Sequence, residues 1–230
     1  MDKFESQIVE YVADLEYKDL TRDAIEAAKE RLLDSLAVAN ASYPTKPVTA
    51  MRNFALASSS LCGATLLNLP QGAGGSCCRY LGTMIRALDW NDTYLNLEPG
   101  HPSDNISATL TVAESENKSG QDFILSTILA YELHCRLCNA AGIRNKGWDH
   151  VTYGSISSTG AAAKLMGFSK NQIRDALAIA MTTGNFLRQT RIGTISKWKA
   201  AAFAQASQNA IHACLYVKHG FTGPDLPPKN

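Results

Sequence analysis

The chain has 230 residues, 45% of them hydrophobic and 19% charged, which is the composition of an ordinary globular protein. Its 22 basic and 21 acidic residues leave a net charge of +1, so there is no electrostatic case for nucleic acid or an anionic membrane surface as a partner. No run approaches the ~18 apolar residues of a membrane span, and six cysteines are too sparse for a disulfide scaffold in a chain of this length.

The opening MDKFESQIVEYV has neither the apolar core of a secretory signal nor the arginine bias of a transit peptide. Reduced thiols in the cytoplasm or the mitochondrial matrix fit best. Phe4 to Leu15 reads as a short amphipathic helix with Ile8, Val9, Val12 and Leu15 on one face. LTRDAIEAAKERLLDSLAVANA follows as a stronger one, capped by Asp19 or Thr21 and ended at Ser42-Tyr43-Pro44. Pro47 opens a third helix running to Ala57. Leu61 to Leu69 reads as a short extended strand and Gln71 to Ser76, QGAGGS, as a loop without the GK[ST] of a phosphate site. Cys77-Cys78 then begins the helix CCRYLGTMIRALDW.

The stretch Arg86 to Asn105, RALDWNDTYLNLEPGHPSDN, crowds acids, amides and a histidine between apolar helices. Polar groups of that kind are costly to bury unpaired, which makes the stretch a surface loop or a site. Ser103 or Asp104 is placed to cap the next helix, Ile106 to Ala113. SGQD caps a long apolar helix, FILSTILAYELHCRLCNAAG, expected at the centre of a bundle and ended by Gly142. The loop IRNKGWDHVTYGSISS leads into the small-residue helix STGAAAKLMG. Ser169 caps another helix that stops near Gly184, and the polar segment NFLRQTRIGTISKWK leads to a last helix, Ala200 to Lys218. Successive alanine-rich helices with little strand signal predict an all-α bundle.

Among the five histidines, His134 lies beside Cys135 and Cys138, but a single CxxC inside a helix lacks the second ligand pair of a zinc site. His212 and His219 belong to the last helix. His101 and His150 differ, since each sits in a polar loop before a helix with an acid nearby, a setting for general acid–base work. Arg188, Arg191, Lys197 and Lys199 supply cations for an anionic ligand or for pairing with Asp89 or Asp92. No GxSxG and no electropositive cysteine loop points to covalent catalysis.

Taken together, LDWNDT (88–93), GHPSDN (100–105), GWDHVTYGSISS (147–158), LRQTR (187–191) and WKAAAFAQASQNA (198–210) resemble the MmgE/PrpD family, which includes 2-methylcitrate dehydratases and a cis-aconitate decarboxylase. The resemblance covers nearly the whole chain in order. It implies an all-α helical domain over residues 1–224 with a truncated tail at 225–230, usually in a homodimer. The α+β lid domain that follows FTGP in the family, and its lysine and tyrosine, have no counterpart here.

Carried over, Asp89, His101, His150 and Lys199 match the family's catalytic positions, with Lys197 the rival for Lys199 under a two-residue slip. Thr93, Arg191 and Ser103 fall at substrate-binding positions, while Asp92, Glu98 and Asp104 read as loop and cap residues. The longer loop before His101 is closer to the dehydratase branch. The implied activity is a hydro-lyase acting on a hydroxy tricarboxylate or dicarboxylate. One of His101 and His150 would act as base and the other as acid, with no cofactor, metal or iron–sulfur cluster. The alternatives are a catalytically impaired helical or dimerisation domain, and decarboxylation of the cis-aconitate type.

Overall fold

The computed structural model describes residues 3–57 and 74–225. Among these residues it is all-helical, with nine α-helices, no sheet, and two isolated β-bridges. The helices are α1 (Lys3–Asp14), α2 (Arg22–Ser42), α3 (Lys46–Ala57), α4 (Gly74–Arg86), α5 (Ile106–Ser115), α6 (Gly120–Ala140), α7 (Val151–Leu165), α8 (Lys170–Thr183) and α9 (Trp198–Lys218). Among the described residues no helix is long and apolar enough to cross a membrane.

Their starts follow local chemistry. Thr21 accepts from Ala24 N at 3.2 Å, and Ser119/Asp122 and Ser169/Gln172 form reciprocal capping boxes that satisfy orphan amides at the heads of α6 and α8. The strand expected over 61–69 lies outside the described residues. Where QGAGGS reads as a loop, its last three residues are already the first turn of α4, and that helix stops at Arg86 instead of running through Trp90. α6 is capped at Ala141 rather than Gly142, and α9 begins at Trp198 instead of Ala200.

Two further corrections concern the bundle. The helix expected after GSISS begins at Val151, so the serines and Gly154 lie inside α7. α7, and not α6, is the helix buried nearly all round, packed against α6, α8 and α9. Small side chains are what allow it. A Cβ on Gly154 would come within 2.5 Å of Phe203 Cε2, and one on Gly160 within 2.7 Å of Leu133 Cδ1. Close backbone approach of this kind outweighs the modest helix propensity of Ser and Gly. Ser103 and Asp104 do not cap α5, because Pro102–Asn105 forms a 3-10 turn running directly into it.

One core joins α1, α5, α6, α7, α8 and α9, and a second joins α2, α3 and α4 around Tyr80, Met84 and Ile85. Where α4 crosses α9, Gly82 would meet Ala204 Cβ at 2.8 Å if it carried a side chain. This packing fixes the C-terminal end of α4 and the N-terminal ends of α5, α7 and α9 at one end of the bundle.

Candidate active site

Three connections meet there. The first, 87–101, folds back on itself through paired backbone bonds between Tyr94 and Gly100, at 2.8 and 2.9 Å. The second, 141–150, is tied to the third, 184–197, by the bonds Arg188 N→Gly147 O at 2.9 Å and Asp149 N→Phe186 O at 2.8 Å. Between them lies a cavity of about 310 Å³. Arg86, Glu98 and His101 line it from the first connection and its root, Arg144, Trp148, Asp149 and His150 from the second, and Arg188, Arg191 and Lys199 from the third and the head of α9.

His150, at the head of α7, is buried, and its Nδ1 lies 3.0 Å from Asp149 Oδ1. The carboxylate accepts the Nδ1 proton, so the neutral ring carries its lone pair on Nε2, which has no partner among the described residues. Burial, with Arg191 and Arg86 nearby, lowers the His150 pKa, and Asp149 works against that shift. Asp149 also accepts from Arg191 Nε at 2.7 Å and Val151 N at 3.1 Å. Burial alone would raise its pKa, but the bond from His150 and the charge of Arg191 outweigh it and hold Asp149 at about 2. Arg191 keeps a second, buried nitrogen, Nη2, without a partner.

On the facing side Arg86, only 4% exposed, is the hub. It pairs with Asp89, donates to His101 Nε2 at 2.8 Å, and lies against Asn91 Oδ1 (3.4 Å) and Asp104 Oδ2 (3.6 Å). Asp89 has left-handed backbone (φ 55°), a conformation that Asp tolerates better than bulky residues do. Its second oxygen accepts from Lys199 Nζ at 2.5 Å. Burial opposes ionisation of Asp89, but the Lys199 bond and Arg86 prevail and lower its pKa. Asp104 is fully buried, and desolvation raises it to about 7 against the pull of Arg86. His101 and His150 sit with ring centroids 5.5 Å apart.

Arginine and lysine thus outnumber acids on the wall, and all but one of them are committed to protein acids. Arg144 pairs with Glu98, Arg191 with Asp149 and Lys199 with Asp89, whereas the Arg188 guanidinium has no ion-pair or hydrogen-bond partner among the described residues. Such a cavity suits a small anion carrying more than one carboxylate.

The MmgE/PrpD N-terminal domain family matches this chain over residues 6–227. The chain belongs to the MmgE/PrpD family. Its similar relatives include the mitochondrial 2-methylcitrate dehydratase of Yarrowia lipolytica, 34% identical over 156 residues, which is 62% of this chain and 30% of that protein. The 2-methylcitrate dehydratase of Escherichia coli is 30% identical over 157 residues, again 62% of this chain and 32% of the relative. An alkylcitrate dehydratase of a fungal species is 34% identical over 161 residues, 62% of this chain and 31% of its own length. The matched stretch therefore spans about a third of these relatives.

Within the MmgE/PrpD domain, His101, His150, Arg191 and Lys199 come together at the cavity, with Asp89 bridging Lys199 and Arg86. Thr93 is exposed beside His101, its Oγ1 3.4 Å from Nδ1. Ser103 is buried away from the cavity, donating to Asp92 Oδ1 at 2.6 Å and accepting from Asn91 at 3.0 Å. Lys197 is exposed at the head of α9. Asp92 braces its loop through Ser103 and Tyr131, and Glu98 accepts from Ile143 N and Arg144 N at 2.8 and 3.1 Å.

Sequence reasoning did not single out Arg86, Asn91 or Asn105, whereas it counted Arg188 among the cations of its loop. Asn105 accepts from Ser157 and Ser158 at 2.8 and 2.7 Å, tying the turn after His101 to the helix that begins after His150. His134 packs beneath the site with its Nε2 against Gly100, where a Cβ would approach to 2.5 Å. Burial holds it neutral, with a pKa of about 3. Among the described residues no cluster of three His, Cys, Asp or Glu side chains is arranged to hold a metal.

Proposed function

We propose that this domain carries the acid–base half of a hydro-lyase site that removes water from a hydroxy tricarboxylate of the 2-methylcitrate type. The observation that carries the reading is the Asp149–His150 pair. His150 lines a cavity dominated by cations, and its Nε2 is buried with no partner among the described residues. His150 Nε2 takes the proton alpha to a carboxylate, and Asp149 stabilises the imidazolium that results. The enolate-like charge that develops on the substrate carboxylate is met by Arg191 and Lys199. Lys199, on the wall beside Asp89, gives a proton to the departing hydroxyl, so the products are the alkene and water. Arg188 and Arg191 Nη2 hold a further carboxylate.

The names of the relatives from Yarrowia lipolytica and Escherichia coli support the substrate class, and the first supports a mitochondrial address. A homodimer is part of the same proposal. The test is incubation of purified protein with 2-methylcitrate, following the unsaturated product by absorbance. Carbon dioxide released from cis-aconitate would mark a decarboxylase instead.

A second reading is a helical or dimerisation domain without turnover of its own. Tight binding of tricarboxylates without product formation would support that reading.

A further inference from the structure

Both ring nitrogens of His101 are taken. Nδ1 lies 2.7 Å from the Asp92 carbonyl oxygen, which can only accept, so Nδ1 carries the hydrogen. Nε2 lies 2.8 Å from Arg86 Nη2, and a guanidinium can only donate, so Nε2 carries the lone pair. The tautomer follows from the chemistry of the two neighbours. Arg86 cannot readily swing away, because it is 4% exposed and held by Asp89, Asn91 and Asp104.

From this geometry we infer that Arg86 is a positioning residue that locks His101 in the neutral Nδ1–H form and withdraws it from proton transfer, leaving His150 as the histidine that carries the proton. A base needs a free lone pair, and His101 could offer Nε2 only by parting from Arg86. An acid needs a free N–H, and the one on His101 is spent on Asp92. His150 is arranged the opposite way, with Nδ1 on a carboxylate and Nε2 without a partner among the described residues.

The groups around His101 act in the same direction. Arg86 at the end of α4, Arg191 of the 188–191 turn and His150 at the head of α7 all oppose a proton on it, as burial does most strongly. The Asp92 carbonyl favours the proton, and together these hold the pKa at about 3. Asp89 beside Arg86 is spent on two cations, the Asp92 carboxylate is turned to Ser103 and Tyr131, and His134 of α6 is neutral. Among the described residues no carboxylate bonds to His101, and the Asp89 charge that His101 feels is outweighed by burial and by Arg86. What His101 offers is a fixed neutral ring that aims the Arg86 fork at the cavity.

This inference rests on reading the cavity as an acid–base site, but its first test does not need turnover. Nitrogen-15 NMR of histidine-labelled protein, with the His101 signals assigned by their loss in His101→Gln, reports tautomer and titration directly. The expected result is one protonated Nδ1 and one unprotonated Nε2, with no titration down to about pH 5. In Arg86→Gln the His101 titration should move up by about one pH unit or more, with Arg86→Lys lying between it and wild type. An Nε2–H tautomer in wild type, or an unmoved titration in folded Arg86→Gln, would overturn the inference. If neither Arg86 variant folds, the wild-type tautomer decides.

Turnover then separates the roles, because a glutamine amide can reproduce both hydrogen bonds of the locked ring. His150→Gln should lose at least about 100-fold in kcat, and His101→Gln at least about tenfold less than that. A kcat loss in His101→Gln as large as that in His150→Gln, with the fold intact, would also overturn it. Protein that shows the locked tautomer but eliminates water from no hydroxy acid would sink the proposed reaction and leave the Arg86 assignment standing.

Discussion

Asn105→Ala is the substitution whose effect can be worked most fully from the structure. Asn105 is completely buried, and its Oδ1 accepts from Ser157 Oγ at 2.8 Å and Ser158 Oγ at 2.7 Å while its Nδ2 donates to Pro102 O at 2.9 Å. Alanine removes these three bonds and a longer contact of Nδ2 with His134 Nδ1 at 3.5 Å. Ser157 keeps the Tyr153 carbonyl at 3.1 Å, so its loss is small. Ser158 and the Pro102 carbonyl are stranded in the core, at about 1–3 kcal/mol for each group that finds no other partner. Rotation of Ser158 toward its own helix recovers part of that, which leaves a net cost of about 3 kcal/mol. For a chain of this size that lowers Tm by roughly 6–12 °C.

Urea and thermal unfolding of the purified variant measure it. Asn105→Asp is the informative companion. When protonated its carboxyl reproduces the donor and the acceptors, so its penalty relative to wild type should shrink as pH is lowered. A loss below about 1 kcal/mol for Asn105→Ala, or an Asn105→Asp penalty indifferent to pH, would refute the view that this amide ties the two histidine-bearing elements together.

Three other outcomes are expected. Gly154→Ala drives a methyl into the Phe203 ring and should cost about 1–3 kcal/mol, with Phe203→Leu relieving part of it in a double-mutant cycle; simple additivity would contradict the packing described. Stability should fall on acidification from about pH 6 to pH 4. His101 and His134, held at about 3 when folded, take up protons only on unfolding, so their contribution is complete above the ordinary histidine pKa and is lost as pH drops. Asp104, raised to about 7, works the other way, holding a proton when folded that it releases on unfolding. His150, also lowered by burial, acts on the same side as His101 and His134, so the net slope is at least about 1.4 kcal/mol per pH unit, and a flat urea midpoint over that range would contradict it. Arg188→Gln should raise KM for a tricarboxylate about tenfold with little change in kcat, since its guanidinium pairs with no acid among the described residues; an unchanged KM would remove it from the binding wall.

Much of the framework was legible from local chemistry. Thr21, the Ser119/Asp122 pair and the Ser169/Gln172 pair announce helix starts because their capping bonds span only three residues of sequence. The polar connections holding His101, His150 and Lys199 stand out because they interrupt apolar helices. Arg86 was not legible for the converse reason. A single cation in the last turn of an amphipathic helix looks like a solvated dipole partner, and only the fold of the 87–101 loop over it makes it a buried hub. Asp104 looked like a cap residue and Asn105 carried no signal of its own, yet their partners are Arg86 and Asn91 in one case and Ser157 and Ser158 in the other, all distant in sequence or on other elements. The early start of α7 was hidden because Gly and Ser favour turns locally, whereas the space beside Phe203 and Leu133 selects them within a helix.

The central claim is that His150 Nε2, oriented by Asp149, removes the substrate proton. The most direct measurement is the rate of water elimination from 2-methylcitrate by wild type and by folded His150→Gln, followed by product absorbance. A fall of at least about 100-fold in kcat, with KM changed far less, is the predicted result. Turnover by His150→Gln within a few-fold of wild type would contradict it.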